Sequence, residues 1–363
     1  MRLGVRAALA RGVEVAGDVD VEDGRIARLG VSPSGANGLA VPGFVDLQVN
    51  GFAGIDFLTA GPDDYARAGA ALAAAGVSAF QPTLISAPPE MLGAALERGL
   101  AAAEQSPIRV LGFHVEGPFL SPRRRGGHPL AHLRDPDPAL ADELLGAGPV
   151  AAMTLAPELP GGLELVEWLV ARSVQVRIGH TDASALTAYE AFDRGAAAIT
   201  HIHNAHRPFA ARDPGPAGAA LARDDVAITA IVDGVHLARE TVAVLRRAAG
   251  ARLCLVSDAV AAAGLGDGRF ELGVQQIEVR DGRSTLADGT LAGSVGSLDQ
   301  SLRLLIQDGA TLAEAIHAVS RGPALLAGHP ELGLLEPGAP ADVAILDEEL
   351  HVTRTLVAGV EIQ

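Results

Sequence analysis

The stretch VQVRIGHTDASALTAYEAFDRGAAAITHIHNA, residues 174–205, holds one full repeat of the chain's rhythm. A β-type run at 174–178 ends in Gly179, His180, Thr181 and Asp182. An Ala-rich helical pattern fills 183–194. A second β-type run at 197–201 then ends in His201, Ile202, His203 and Asn204. Strand, polar end, helix and strand is the unit of a sheet built with helical crossovers. The same unit recurs outward in both directions. Further β-type runs lie at 43–49, 77–85, 109–115, 150–155, 227–232 and 252–256, with helical patterns at 63–75, 88–104 and 163–173. Eight such strands predict an α/β fold, a (β/α)8 TIM-like barrel over 43–334. A doubly wound sheet is the alternative, and it is weaker because no Gly-rich phosphate loop follows the first strand.

The two ends read differently. Short alternating strands at 13–15, 19–21 and 25–29 are matched by others at 341–346, 351–357 and 361–363. They predict a small β-sandwich domain made from both termini, 1–42 and 335–363. Runs at 270–279 and 284–291 around the turn Asp281–Gly282 predict a β-hairpin inserted near 269–291.

Composition narrows the chemistry. The chain has 363 residues, 48% of them hydrophobic and only 3% aromatic, so its core is aliphatic. Its formal charge is 28 − 44 = −16, which argues against a nucleic-acid or anionic-membrane surface. An anionic substrate then needs a local basic cluster. There is no lysine, which excludes a Schiff base, a P-loop lysine and a carbamylated lysine bridging two metals. The single cysteine, Cys254, excludes a disulfide framework and a thiolate zinc cluster. The N-terminal segment has no long apolar stretch, so a cytoplasmic protein is expected.

In a barrel, reactive groups collect where strands end. Here Glu116 ends the third strand, His180 the fifth, His201 the sixth and Asp258 the eighth. Two imidazoles and a carboxylate form a three-ligand set with an open position, which suits one catalytic divalent ion: Zn first, with Fe, Co or Mn also compatible. Asp258 is then placed to move a proton. Gln48 and Asn50 share one face of the first strand by period two and point into the mouth. His203 imitates a His-x-His pair with His201 and is read as packing or as a group behind the ligands. His114 is read as a core imidazole or a neighbour of Glu116, and Asp182 as a support for His180 or a loop cap.

Several segments carry a resemblance: PGFVDL (42–47), GFHVEGPF (112–119), TLAPE (154–158), GHTD (179–182), the run from His201 to Ala205, RDPG (212–215), DGVH (233–236), VSDA (256–259) and GAPADV (338–343). Together the chain resembles the N-acetylglucosamine-6-phosphate deacetylases, a branch of the amidohydrolase superfamily. The resemblance implies that Glu116, His180 and His201 bind the metal and that Asp258 is the acid/base. It implies that His128 approaches the acetamide, that Asn204, Ala205, Arg212 and His236 hold the sugar phosphate, and that Gln48 and Asn50 replace a His-x-His pair, favouring one metal per site. It also implies a homodimer in which Arg212 reaches the neighbouring site.

The chemistry so implied is metal-assisted amide hydrolysis. Asp258 takes the proton of the attacking water, the metal and His128 stabilise the oxyanion, and Asp258 protonates the departing C2 amine. The products are acetate and glucosamine 6-phosphate. His203 and His206 depart from the family pattern beside the pocket. The competing readings are another mononuclear amidohydrolase, such as an N-acetylgalactosamine-6-phosphate deacetylase, an N-acyl-amino-acid hydrolase or a deaminase, and a catalytically silent sugar-phosphate-binding barrel.

Overall fold

The computed structural model describes residues 1–363. Eight parallel strands form the centre: Phe44–Val49, Val77–Ile85, Phe113–Glu116, Val150–Leu155, Gln175–Ile178, Ala198–Ile199, Ala227–Ala230 and Leu253–Leu255. Each pairs with its neighbour in chain order. Between the eighth strand and the first there is no ladder. The seam closes through the parallel bridge of Val49 with Ala259, where Asn50 and Gly51 donate their amides to the Ala259 carbonyl at 2.8 and 3.0 Å. This is the (β/α)8 barrel that the alternation of runs predicts.

Strands covered on both sides read as continuous apolar runs, and Val77–Ile85 is buried at every position. Helices shield the outside. Gly162–Val170 turns Leu165, Val166 and Leu169 inward. Leu312–Val319 starts from a capping box in which Thr311 and Glu314 satisfy each other's backbone amides. No helix is long and apolar enough to cross a membrane.

The third strand departs from its predicted span of 109–115. It splits into Arg109–Val110 and Phe113–Glu116. Gly112 sits between them at φ +75°, and a Cβ there would meet Ala151 Cβ at 2.8 Å and the Pro149 carbonyl at 2.9 Å. Close approach of the fourth strand therefore demands glycine and breaks the pairing.

The barrel interior is filled, not hollow. Arg177, fully buried, donates to the Leu47 carbonyl at 3.0 Å, to Gln81 Oε1 at 2.6 Å and to Gln175 Oε1 at 2.9 Å. His114 bonds Thr154 Oγ1 at 2.7 Å and Thr83 Oγ1 at 3.3 Å, and Thr154 bonds Thr200 at 2.8 Å. His114 is thus a satisfied core imidazole, and burial holds its pKa well below the usual value. Glu116, two residues on, rises from the same face into the mouth.

Both chain ends contribute to one six-stranded sheet. Ala7–Ala10 lies parallel to Leu39–Pro42, which pairs antiparallel with Val343–Leu346. Period two divides its two faces: Ala40, Val343 and Ile345 pack with Val19, Val21 and Ile26, while Leu39, Val41, Ala344 and Leu346 join the main core. The run at 270–279 is not one strand. Gly273 at φ +58° turns the chain, giving a three-stranded meander of Gly268–Leu272, Gln275–Arg280 and Arg283–Thr285. Leu272, Ile277 and Val279 seat it on Ile85 and Val260 at the barrel mouth.

One ion pair ties the terminal sheet to the barrel. Arg109 reaches Asp342 through Nε at 2.7 Å and Nη2 at 3.1 Å, and Asp342 also accepts the Ala358 amide at 2.7 Å. Removing the buried acceptor strands these donors, at a cost of about 1–3 kcal/mol. Asp342→Ala is expected to lower unfolding stability by that amount while turnover per folded molecule stays at the wild-type value. Urea titration followed by an assay of the folded fraction checks both.

Candidate metal centre and active site

The strand ends deliver Glu116, His180, His201 and Asp258 to one point. His201 Nε2 lies 3.0 Å from Glu116 Oε1, His180 Nε2 lies 3.4 Å from the same oxygen, and the two Nε2 atoms are 3.1 Å apart. All three side chains are buried. Ligands bonded to Zn²⁺ at about 2.0–2.1 Å in a tetrahedron stand roughly 3.4 Å from one another, so the spacing already fits a small divalent ion.

Tautomers support the same reading. His180 Nδ1 donates to the Arg124 carbonyl at 3.0 Å, which leaves the Nε2 lone pair facing the cluster. Burial pushes the His180 pKa down to about 4, so the ring is neutral. Glu116 is ionised: burial favours the neutral acid, but the surrounding imidazoles of His128, His180 and His201 outweigh it and hold the pKa well below the usual range. Burial also opposes charging His201, yet the hydrogen bond and charge of Glu116 prevail and raise its pKa. The cluster therefore favours a positive charge among its three ligand atoms. A proton on His201 Nε2 satisfies it, and a divalent cation satisfies it better.

His128 has the opposite tautomer. Its Nδ1 accepts the Ser86 backbone amide at 3.2 Å and lies 3.0 Å from Ser86 Oγ. The proton is then on Nε2, which stands 3.5 Å from Glu116 Oε2 beside the cavity. His128 is a hydrogen-bond donor there, whereas His180 offers a lone pair.

Asp258 Oδ1 is saturated. Gln48 Nε2 donates to it at 3.0 Å and Asn50 Nδ2 at 2.8 Å, while Gln48 Nε2 also reaches Glu116 Oε1 at 3.0 Å. The first strand's amides thus brace the two acids against each other, leaving Asp258 Oδ2 for chemistry. Burial, then the charge of Glu116, pushes the Asp258 pKa up to about 6. The two carboxylates are thus shifted in opposite directions, Glu116 held as the anion and Asp258 left able to take up a proton near neutral pH. Five residues here hold left-handed backbone: His180 at φ +48°, His201 at +29°, His203 at +72°, Ala205 at +54° and Asp258 at +49°. Such conformations persist where the surroundings over-determine them.

A cavity of about 300 Å³ opens on this cluster. Asn204, Ala205 and His236 line it, with Asn50 and His128. His236 donates Nδ1–H to Asp233 Oδ2 at 2.7 Å, so Nε2 is the atom left for a guest. Asp233 is held down at about 2; burial opposes this, and the His236 hydrogen bond prevails. Gln48 is behind the lining. Arg212 is exposed, forms no ion pair within its own chain and stands outside the cavity, whose lining contains no arginine. His203 lines the cavity in place of packing behind the ligands, and His206 is buried with both ring nitrogens unpartnered.

Other contributors escaped the sequence reading. Ser86 sets the His128 tautomer, and the Arg124 carbonyl sets that of His180. The Gly126–Gly127 strap, Leu272 of the meander, and Leu291 and Ala292 just beyond it complete the wall. Only the paired glycines before His128 carried a local signal. A Cβ on Gly126 would lie 3.0 Å from the His180 ring.

Residues 39–362 match the amidohydrolase family. An N-acetylglucosamine-6-phosphate deacetylase of Bos taurus is 38% identical over 331 residues, spanning 86% of this chain and 80% of the relative. An N-acetylgalactosamine-6-phosphate deacetylase of Escherichia coli O157:H7 is 34% identical over 317 residues, spanning 86% and 84%. Among solved structures, a point mutant of N-acetyl-D-glucosamine-6-phosphate deacetylase from Mycobacterium smegmatis, in complex with N-acetyl-D-glucosamine-6-phosphate, superposes with a TM-score of 0.94. It is 34% identical, and the match covers 100% of this chain and 99% of that one.

The raised acid predicts a pH effect. A carboxyl whose pKa is higher folded than unfolded stabilises below its unfolded value and loses that contribution as pH rises through the folded value, about 6 for Asp258. Metal-free Asp258→Asn protein is therefore expected to be more stable than metal-free wild type at about pH 8, by about 1–3 kcal/mol. Near pH 4 the difference closes. Urea unfolding at the two pH values measures it.

Proposed function

The chain belongs to the amidohydrolase family and hydrolyses an amide bond, and we propose that it removes the acetyl group of N-acetyl-D-glucosamine 6-phosphate, giving D-glucosamine 6-phosphate and acetate. The observation that carries this is the cluster of Glu116, His180 and His201, whose ligand atoms lie 3.0–3.4 Å apart with Asp258 braced to it by Gln48. Its likeness to relatives that bear this activity supplies the substrate class.

In this reading Glu116, His180 and His201 hold one divalent ion, Zn²⁺ by the mix of nitrogen and oxygen donors. A bound ion supplies Lewis acidity toward the acyl carbonyl and lowers the pKa of water to about 7. The chain's own groups do the rest. Asp258 Oδ2 takes a proton from the attacking water and returns it to the departing C2 nitrogen. His128 Nε2–H donates to the acyl oxygen as negative charge builds there. Gln48 and Asn50 hold Asp258 in place. Asn204, the Ala205 backbone and His236 as an Nε2–H donor, its ring paired with Asp233, bind the phosphate end of the sugar.

The cavity's own lining offers no guanidinium for a dianion. Exposed and unpaired, Arg212 is proposed to supply one to the neighbouring site of a homodimer, with two parallel N–H donors. Soluble sugar phosphate as substrate fits a cytoplasmic setting.

The test is acetate release from N-acetylglucosamine 6-phosphate, its C4 epimer and unphosphorylated N-acetylglucosamine. Expected is preference for the first. Preference for the epimer assigns the activity borne by the Escherichia coli relative, and equal rates without phosphate overturn the sugar-phosphate reading. Chelation is expected to abolish turnover and zinc to restore it. Asp258→Asn is expected to lose turnover by at least about 10³-fold while zinc content stays near one per chain; zinc loss in that variant would make Asp258 a ligand instead. Arg212→Ala is expected to raise KM for the phosphorylated sugar about tenfold or more, as loss of one charged hydrogen-bonding partner requires.

A further inference from the structure

We propose that Asp182 is a positioning residue of the metal centre, acting on His180 through Arg124; this rests on the reading that Glu116, His180 and His201 hold the ion. Asp182 follows His180 by two residues but does not touch its ring. Its Oδ1 accepts from Arg124 Nε at 2.8 Å, and Oδ2 lies 3.4 Å from Arg123 Nη1. Arg124 in turn presents its backbone carbonyl to His180 Nδ1 at 3.0 Å. The contacts form a closed ring: His180 side chain, Arg124 carbonyl, Arg124 guanidinium, Asp182 carboxylate, and two peptide bonds back to His180.

Each neighbouring link fixes this ring further. The Ser121 amide donates to the His180 carbonyl at 2.9 Å. Gly126, at φ +54°, brings the strap against the ring edge. Asp182 is itself anchored, its amide donating to Glu158 Oε1 at 2.6 Å. The segment carrying Arg124 is a three-residue helical turn, Pro122–Arg124, with no core side chain of its own. The Arg124 side chain is 31% exposed and that of Asp182 17%, so the pair is partly shielded from water.

The chemical consequence concerns a proton. With the Arg124 carbonyl in place, His180 carries its hydrogen on Nδ1 and offers the Nε2 lone pair. If the strap drifts, nothing else in the structure accepts from Nδ1. The ring can then place its hydrogen on Nε2, the atom that must face the cation. Outer partners of this kind are worth about 10–100-fold in metal affinity. Arg123, Arg124 and Arg207 all face Asp182, so a purely charge-balancing role is the rival account, and tautomer and affinity separate the two.

The experiment uses the full chain, stripped of metal. Zinc affinity is measured by competition with a chromophoric chelator, and long-range ¹⁵N–¹H spectra of the histidine rings report the His180 tautomer, assigned against His180→Gln. Asp182→Ala is expected to bind zinc about 10–100-fold more weakly and to lose the pure Nδ1–H signature. Arg124→Gln is expected to do the same, and the double variant to be no weaker than either alone, because all three break one chain of contacts. If a folded Asp182→Ala or Arg124→Gln protein binds zinc like wild type, or keeps the Nδ1–H form, the proposal is overturned. Should Asp182→Ala not fold, Arg124→Gln tests the same link. If folded wild type itself takes up no stoichiometric ion, the metal reading fails, which is a different result from equal binding by wild type and variant.

Discussion

The site is organised by an electrostatic demand. One carboxylate oxygen and two imidazole nitrogens are packed 3.0–3.4 Å apart inside a buried mouth. In a low-dielectric setting such a cluster is costly without positive charge among its members. The raised His201 pKa and the depressed Glu116 pKa are two expressions of that cost. Much else follows from it. Asp258 cannot share the negative charge freely and is lifted toward neutrality, and the first strand's amides stand between the two acids.

A second level of control lies in backbone groups. His128 and His180 are near neighbours, with ring centroids 4.4 Å apart. One receives a backbone N–H at Nδ1 and the other gives its Nδ1–H to a backbone carbonyl. The same side chain is thereby left with an N–H at Nε2 in one place and a lone pair at Nε2 in the other. Neither partner is itself a reactive group, yet they decide which histidine does which work.

This explains what the sequence could and could not reveal. Strand ends were legible because apolar runs stop at polar residues, and Glu116, His180, His201 and Asp258 fell there by count. The barrel followed from the same alternation. The break at Leu111–Gly112 was hidden, since its cause is the close approach of Pro149 and Ala151 from the neighbouring strand's entry. The turn at Gly273 was hidden because 270–279 keeps its β-type pattern across it. His203 was read as packing or as a group behind the ligands, and it lines the cavity instead. Ser86 and the Arg124 carbonyl were invisible: a serine and a peptide group have no chemical signature until the fold sets them against a ring.

The barrel's seam has its own consequence. First and last strands meet through one bridge, and the groups that lock it there are Gln48, Asn50, Ser257 and Asp258. Residues 46–50 leave the ribosome long before residues 257–259. The Asp258 carboxylate therefore comes to stand beside Glu116, through Gln48, only when the last arc of the cylinder arrives. Closing the cylinder and bringing the two acids together thus become a single event.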